Sequence, residues 1–211
     1  MTDVKSHWQD IYRTKRPEAV SWYAQHLDVS LELIDTLKLG KQQSIIDVGG
    51  GASTLVDDLL ARGYTDLTVL DISADALQAS MRRLGAEAAK VKWMAADLLQ
   101  SDFADRRFDL WHDRAVFHFL TDEQDRARYR EQMLAHLSAN GFVILGTFAD
   151  DGPTKCSGLD VRRHSESDID VFLGPAFRRV AARRSTHVTP GGAQQRFVSV
   201  AAQRTGTTNN A

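Results

Sequence analysis

The chain has 211 residues, 43% hydrophobic and 26% charged, and a mass of 23.5 kDa, values typical of one globular domain. Its 26 basic and 28 acidic residues give a net charge of −2, whereas dedicated nucleic-acid-binding proteins are usually strongly basic. One cysteine, Cys156, excludes an internal disulfide framework and a cysteine-rich metal site. No apolar run is long enough to span a bilayer, and the N-terminus lacks a secretory signal. We expect a soluble, cytoplasmic protein without a metal site, present as a monomer or homodimer.

From residue 44 onward, short apolar runs alternate with amphipathic stretches. The apolar runs predict strands over 44–48, 67–72, 91–95, 108–112 and 142–148. The amphipathic stretches predict helices over 53–62, 74–84 and 121–137. Ser73 is placed to cap the second of these helices. Strands that are apolar throughout and alternate with helices indicate an α/β fold, with a parallel sheet covered on both faces.

The end of the chain breaks this alternation. Two strand-like segments, 178–188 and 196–203, have no helix between them, and turn residues connect them at 189–193. They predict an antiparallel hairpin at one end of the sheet. We expect one domain over residues 1–204, followed by a disordered tail, 205–211, whose residues are small and polar.

A glycine-rich loop, Asp47-Val48-Gly49-Gly50-Gly51-Ala52-Ser53, joins the first predicted strand to its helix. Consecutive glycines allow the backbone to approach a ligand closely, and the N-terminus of the next helix favours an anionic group. The loop does not match the dinucleotide fingerprint G-x-G-x-x-G, because Thr54 stands where the last glycine belongs. It does match an acidic residue followed by G-x-G. A tight turn that binds nothing is the alternative.

Two further aspartates follow the next two predicted strands. Asp71 lies at the end of the second strand, where a carboxylate can accept hydrogen bonds from both ribose hydroxyls. Asp97 follows the third strand, a suitable position for an acceptor to a base edge. Together with Asp47, these carboxylates suit a cationic ligand such as a sulfonium that carries an ammonium group. Each aspartate alone is also compatible with a solvated loop position or a helix N-cap.

With these residues the chain resembles the class I S-adenosylmethionine (SAM)-dependent methyltransferases, from about Ser44 to Phe148. The matching residues are Asp47, Gly49, Gly51, Asp71, Asp97-Leu98 and Phe108-Asp109-Leu110. The resemblance implies a Rossmann-like, seven-stranded, mostly parallel sheet flanked by helices, with the hairpin as its sixth and seventh strands. It also implies a helical lid or cap formed by residues 1–40.

SAM is the cofactor that the resemblance implies, and S-adenosylhomocysteine is its product. By resemblance, Asp47 and the glycines lie against the methionine part of the cofactor, Asp71 binds the ribose, and Asp97 with Leu98 holds the adenine. Ser53 replaces the family's usual third glycine. The complete set of expected cofactor-binding residues is Asp47, Gly49, Gly50, Gly51, Ser53, Asp71, Ile72, Asp97, Leu98 and Asp113.

In the resembled family, the stretch 109–120 borders the transferred methyl group and the acceptor. His118 is the first candidate for a catalytic base, because an ordinary histidine pKa near 6.5 suits proton removal near neutral pH; Asp113 and Tyr23 follow it. The expected substrate-binding residues are Trp22, Tyr23, Arg114, Phe117, His118, Cys156 and Arg163.

These acceptor-side residues also have structural interpretations. His118 is equally compatible with a half-buried histidine bonded to a carbonyl group, and Arg114 with an ion pair to Asp113. Arg163 belongs to a basic cluster that solvent alone would satisfy, and Cys156 has no evident activating base. The aromatic residues of the N-terminal segment are compatible with a lid or with helix packing.

The sequence therefore predicts a SAM-dependent methyltransferase that transfers a methyl group directly to nitrogen, oxygen or sulfur of a small molecule. Such a transfer needs alignment and exclusion of water rather than a covalent nucleophile. The alternatives are a protein (lysine) methyltransferase and a non-catalytic SAM-binding protein. The charge balance argues against a nucleic-acid acceptor. A nicotinamide oxidoreductase fits worst, because it leaves the missing glycine and the terminal hairpin unexplained.

Overall fold

A seven-stranded sheet forms the centre of the computed structural model, which describes residues 4–205. The strands in chain order are β1 (Ser44–Val48), β2 (Asp66–Asp71), β3 (Val91–Ala95), β4 (Phe108–Arg114), β5 (Leu137–Phe148), β6 (Lys155–Cys156), β7 (Leu159–Asp160), β8 (Phe177–Val188) and β9 (Gln194–Arg204). In the main sheet their order is β3-β2-β1-β4-β5-β9-β8, whereas β6 and β7 pair separately. The first five strands are parallel, and β9 and β8 are antiparallel. The predicted α/β fold with a hairpin at one end is confirmed.

Helices cover both faces of this sheet. They are α1 (Val4–Thr14), α2 (Asp28–Leu37), α3 (Leu55–Ala61), α4 (Ala74–Leu84), α5 (Glu123–His136) and α6 (Glu166–Leu173). Ser73 caps α4 as predicted, since its hydroxyl accepts a hydrogen bond from the Ala76 N–H. Within residues 4–205, no helix is long and apolar enough to cross a membrane.

The strands carry apolar side chains on both faces, which explains why their sequences are apolar throughout. In β4, Leu110 packs into the cluster beneath α2 and α3, whereas its neighbour Trp111 packs into the cluster beneath α5 and α6. Both side chains are fully buried. Successive residues of a strand point to opposite faces, so this alternation divides the core into two layers.

Two small elements were not predicted, the short hairpin of β6 and β7 and the helix α6. Both belong to the long connection between β5 and β8. The start of α6 carries a signal that the sequence does contain, a capping box. The Ser165 hydroxyl accepts from the Asp168 N–H at 3.2 Å, and the Asp168 carboxylate accepts from the Ser165 N–H at 2.8 Å. This reciprocal arrangement satisfies two N–H groups at the helix start.

The chain ends differ in how they are held. Helix α1 contributes no buried residue, and Arg13 at its end pairs with Asp75 of α4 at 3.1 Å. At the other end, the Thr205 N–H donates to the Ala176 carbonyl oxygen at 2.9 Å. The remaining residues of the expected disordered tail, 206–211, lie outside the described residues, as do residues 1–3 of the expected lid segment.

Removing the cap of α6 should destabilise the protein. Ser165→Ala deletes the hydroxyl acceptor, and we expect the free energy of unfolding to fall by about 1 kcal/mol, measured by urea denaturation. Val171→Ala is the matched control, because Val171 is 82% exposed on the same helix, and its effect should stay within about 0.5 kcal/mol. Equal stabilities of the two variants would show that the cap contributes nothing.

Candidate functional site

A cavity of about 600 Å³ lies at the carboxyl ends of β1 to β4. Residues that follow each of these strands line it, among them Gly49, Asp71, Asp97 and Ala115. Strand β1 has β2 on one side and β4 on the other, so the strand order reverses here. Open α/β sheets bind their ligands at this kind of switch point.

The glycine loop after β1 is held against β2. The Gly49 N–H donates to the Leu70 carbonyl oxygen at 2.7 Å. At Gly51, φ is +22°, and a Cβ atom would lie 2.4 Å from Oδ2 of Asp71. No side chain fits there, so the backbone itself approaches the carboxylate at the end of β2.

Asp71 lies at the end of β2 and is almost fully buried. Its Oδ1 accepts a hydrogen bond from the Ser73 N–H at 2.8 Å. Burial raises the pKa of Asp71 to about 7, and the charge of Asp47 adds to the rise, whereas hydrogen bonds from the backbone of Ser73 and Gly51 oppose it. The Asp71 carboxyl group therefore titrates near neutral pH.

A small pocket of about 40 Å³ lies beside the large cavity, between the glycine loop and the N-terminal segment. Asp47 and Arg114 both line it, which gives it one acidic and one basic group. The Arg114 guanidinium donates to the Trp22 carbonyl oxygen at 3.1 Å. Burial lowers its pKa to about 10, so the group is still charged at neutral pH. Arg114 lines the large cavity as well and thus connects the two spaces.

Aromatic side chains form the end of the cavity beneath α1. Trp8 packs edge-on against Trp22 and Phe119, with ring centroids 5.6 and 5.1 Å apart. The Trp22 indole N–H donates to the Tyr12 hydroxyl at 3.3 Å. Cys156 lies at this end too, and burial raises the pKa of its thiol to about 11. The thiol is therefore protonated at neutral pH and a poor nucleophile.

Most of the predicted site residues line the cavity or the small pocket. They are Trp22, Tyr23, Asp47, Gly49, Gly50, Ser53, Asp71, Ile72, Asp97, Leu98, Arg114 and Cys156. The expected residues that line neither space are Gly51, Asp113, Phe117, His118 and Arg163. Gly51 shapes the loop, whereas the other four lie away from the cavity.

Asp113 points into the core rather than into the cavity. Its carboxylate accepts hydrogen bonds from the Val116 and Phe117 N–H groups at 2.9 and 3.1 Å, and from the Tyr129 hydroxyl at 2.7 Å. Burial raises its pKa to about 6, against the effect of these hydrogen bonds. The side chain ties the end of β4 to α5, so this geometry does not support the expected roles in catalysis and cofactor binding.

His118 also lies in the core and is fully buried. Its ring contacts Phe119 and Phe148, with centroids 4.5 and 4.6 Å away, and its Nδ1 accepts a long hydrogen bond from the Phe148 N–H at 3.4 Å. Burial lowers the pKa of His118 to about 3. The turn after β4 directs Phe119 to the cavity and His118 away from it, so the structure does not place His118 where a base is needed.

The remaining two expected substrate residues are equally remote. Phe117 is fully buried and stacks on His164, with ring centroids 4.9 Å apart. Arg163 is exposed and donates to the Gly152 carbonyl oxygen at 3.3 Å. Neither is brought to the cavity.

Several lining residues were not among the predicted site residues. Trp8 and Tyr12 are four positions apart on α1, so they share one helix face. Two aromatic residues at this spacing can be recognised in the sequence as one face of a helix. His112 lines the small pocket and lies opposite Asp47 in the sheet register. The signal there was a histidine inside an otherwise apolar strand.

Comparison with known proteins shows what this architecture is similar to. Residues 45–141 match the family described as methyltransferase domain. Over these residues the chain is similar to methyltransferases, in agreement with the resemblance to the class I, SAM-dependent enzymes. The resemblance drawn from the glycine loop and the strand-end aspartates is confirmed at this level, as is SAM as the family's cofactor.

Among curated proteins, the eEF1A lysine and N-terminal methyltransferase of Bos taurus is 25% identical over 133 residues. Its mouse counterpart (Mus musculus) is 26% identical over 133 residues. These alignments cover 62% of this chain and 19% of each relative. The chain therefore spans about a fifth of the length of the curated relatives that it matches.

Solved structures match the chain over nearly its whole length. A protein studied for the conversion of a disulfide bond into a thioacetal group during echinomycin biosynthesis has a TM-score of 0.78 and 14% identity, with 98% of this chain and 94% of that chain covered. The 1,6-didemethyltoxoflavin-N1-methyltransferase of Burkholderia thailandensis has a TM-score of 0.75 and 20% identity, with 96% and 87% covered. At these identities, the likeness shows the fold.

If Asp113 has a structural role, removing its buried hydrogen-bond partner should destabilise the fold and leave ligand binding in the cavity unchanged. Tyr129→Phe removes the hydroxyl that donates to Asp113 and accepts from the Trp111 indole N–H at 3.0 Å. We expect the free energy of unfolding to fall by about 2 kcal/mol, measured by chemical denaturation. Tyr64→Phe, in the cluster on the other face, is the control and should change it by less than about 0.5 kcal/mol. Unchanged stability of Tyr129→Phe, together with weakened ligand binding, would instead place Asp113 in the site.

Proposed function

We propose that this chain transfers a methyl group from SAM directly to a nucleophilic atom of a small molecule. The observation that carries the proposal is that the large cavity and the adjoining small pocket together have a charged part and an aromatic part. The charged part lies along the carboxyl ends of β1 to β3, and the aromatic part lies beneath α1. Bound SAM would supply an electrophilic methyl carbon at the junction between them.

The charged part is complementary to SAM. Asp47 and Arg114, which both line the small pocket, would bind the ammonium and the carboxylate of the methionine moiety. Asp71 would accept hydrogen bonds from the ribose. Asp97 and Leu98 line the far side of the cavity and would hold the adenine. The backbone cradle at the glycine loop, which no side chain can enter, fits a ligand that lies against the main chain.

The aromatic part would select and orient the acceptor. Trp8 contacts both Trp22 and Phe119 there, and these rings would exclude water from the junction. Holding an acceptor in line with the methyl group supplies most of the catalysis that such a transfer needs. The walls are suited to a small acceptor with an apolar or planar body.

The titratable groups at this end restrict the kind of acceptor. Burial raises the pKa of the Tyr12 hydroxyl far above its usual value and the pKa of Cys156 to about 11. Both groups therefore hold their protons at neutral pH, and His118 is remote. An acceptor that arrives with a free lone pair fits these walls best, such as a neutral nitrogen or an ionised thiol.

A protein lysine is the second candidate acceptor, and the curated relatives favour it, since their names state that activity. A lysine side chain is best attracted by unpaired acidic groups at the mouth of a site. Two acidic residues line the cavity near the aromatic part, Asp125 and Asp160. Asp160 is 3.2 Å from the Lys155 ammonium, and Asp125 is 3.6 Å from the Arg128 guanidinium. This compensation of charge favours the small molecule.

Methyl-labelled SAM separates these functions. The purified protein would be incubated with a lysate of the cells that carry its gene, and the label would be counted in protein, nucleic-acid, extractable and volatile fractions. We expect label in the extractable or volatile fraction. The control is Trp8→Ala, which should keep cofactor binding within about twofold and lower this signal at least tenfold, because it opens the aromatic part. Label in the protein fraction would support the lysine alternative. No transfer from a protein that binds SAM would support a non-catalytic role.

Binding of S-adenosylhomocysteine should strengthen as pH rises through about 7. Ribose hydroxyls donate to the ionised Asp71 carboxylate, and the pKa of this group is about 7 in the ligand-free protein. The ionised fraction rises from about one tenth at pH 6 to about nine tenths at pH 8, so the dissociation constant should fall about tenfold, measured by titration calorimetry.

Asp71→Asn provides the control for this pH dependence. It should bind about 10- to 100-fold more weakly at pH 8, the range for a lost charged hydrogen-bond partner, with affinities at pH 6 and pH 8 that are nearly equal. A wild-type affinity that is the same at both values would contradict the assignment of Asp71 to the ribose.

A further inference from the structure

Three buried polar side chains from different elements form a chain of hydrogen bonds behind the small pocket. Asp47 of β1 and His112 of β4 are partners in the sheet register. His112 Nδ1 is 2.7 Å from Asp47 Oδ1, and its Nε2 is 2.9 Å from the hydroxyl oxygen of Ser30 on α2. All three are buried, with exposures of 4%, 1% and 6% for Asp47, His112 and Ser30. The core here is otherwise apolar, so this arrangement requires an explanation.

The chemistry of the three groups fixes the direction of the hydrogen bonds. A carboxylate only accepts, so His112 Nδ1 carries a proton and donates to Asp47. In the tautomer protonated at Nδ1, the Nε2 atom accepts from the Ser30 hydroxyl. A hydrogen bond at one ring nitrogen determines which nitrogen holds the proton. Asp47 thus sets the tautomer protonated at Nδ1, and the Ser30 hydroxyl bonds to the other ring nitrogen and fixes the ring's orientation.

The second oxygen of Asp47 has no hydrogen-bond partner. Oδ2 is buried, and no group of the described chain bonds to it. It faces the glycine loop so closely that a Cβ atom on Gly50 would lie 2.4 Å away. Buried acceptors are almost always bonded, and an exception requires a reason such as an absent ligand. Oδ1 is occupied by His112, so Oδ2 is the atom left for a ligand.

We propose that Ser30 and His112 are positioning residues that hold Asp47 with Oδ2 directed at the ammonium group of the cofactor's amino-acid part. The inference rests on the proposed function, since it takes SAM or S-adenosylhomocysteine as the ligand. A carboxylate fixed in advance loses little freedom on binding, and its charge-assisted hydrogen bond is about twice as strong as a neutral one.

The charges around Asp47 are consistent with this role. Arg114 of β4 lies near enough that the charge of Asp47 raises the arginine's pKa, and Asp71 of β2 lies near enough that the same charge raises the pKa of its carboxyl group. A ligand ammonium would therefore meet the carboxylate of Asp47, and a ligand carboxylate would meet the arginine. His112 keeps Asp47 from turning toward Arg114 and closing the pocket as an ion pair.

Two ligands that differ only in the amino-acid part test the proposal. S-adenosylhomocysteine carries the ammonium, whereas 5′-methylthioadenosine has the same adenosine and thioether sulfur without it. His112→Phe removes the donor to Asp47. We expect it to weaken binding of S-adenosylhomocysteine about 10- to 100-fold and binding of methylthioadenosine less than twofold, both measured by titration calorimetry.

Rescue variants distinguish positioning from simple packing. His112→Asn retains an N–H donor near the position of Nδ1 and should restore binding of S-adenosylhomocysteine to within about fivefold of the wild type. Ser30→Ala should weaken it about three- to tenfold, because the ring loses the hydrogen bond at Nε2, and it should shift the ¹⁵N signal of Nε2 while Nδ1 stays protonated. His164→Phe is the matched control, since His164 is as buried as His112 and bonds to Thr147 and Arg126 outside the site. It should lower the free energy of unfolding and leave the ratio of the two ligand affinities unchanged.

The outcomes distinguish this inference from the proposed function. Equal weakening of both ligands by His112→Phe, or a wild-type ring protonated only at Nε2, overturns the positioning role and leaves SAM binding intact. A wild-type protein that binds neither ligand overturns the proposed function, and the inference with it.

Discussion

The parallel register of β1 between β2 and β4 is the constraint on which the rest of the site depends. It places Asp47 opposite Val69 on one side and His112 on the other. It also brings the glycine loop beside Leu70, whose carbonyl accepts from the Gly49 and Gly50 N–H groups at 2.7 and 3.2 Å. A shift of one residue would exchange the two faces of β1, turning Asp47 away from His112. In this register, β1 packs apolar side chains on both faces of the sheet, with Ile45 on one face and Ile46 on the other.

The site concentrates buried charge that the protein by itself tolerates poorly. Burial raises the pKa values of Asp71 and Asp113, and it lowers that of Arg114. Each shift marks a charged form that the folded chain disfavours relative to water. For Asp113, hydrogen bonds from the protein compensate. Asp71 and Arg114 face the cavity, and a bound ligand can provide what the chain does not. Ligand binding should therefore stabilise the fold by mass action.

Most of this arrangement can be predicted from the sequence, whereas the directions of several side chains depend on tertiary packing. The strands, the hairpin and the strand-end aspartates follow from local patterns, because an apolar run ending in glycine or aspartate has few structural alternatives. The direction of Asp113 and His118 does not. Strand β4 is buried on both faces, so no alternation of polar and apolar residues reveals where Asp113 points. His118 lies in the turn after β4, where neither the helix nor the strand period applies. Trp8, from α1, reaches the cavity through tertiary packing, which sequence order does not show.

Strand β8 forms one edge of the sheet, and it is 12 residues long. Its arginines are fixed by acidic partners from other elements: Arg183 pairs with Glu32 at 2.7 Å, and Arg184 with Asp150 at 2.7 Å and Glu166 at 2.8 Å. A long open edge invites pairing with the edge of another molecule, and charged side chains discourage it. These surface ion pairs add little to stability individually. Their larger effect is on solubility, because they let the sheet end in a long hairpin without becoming a template for aggregation.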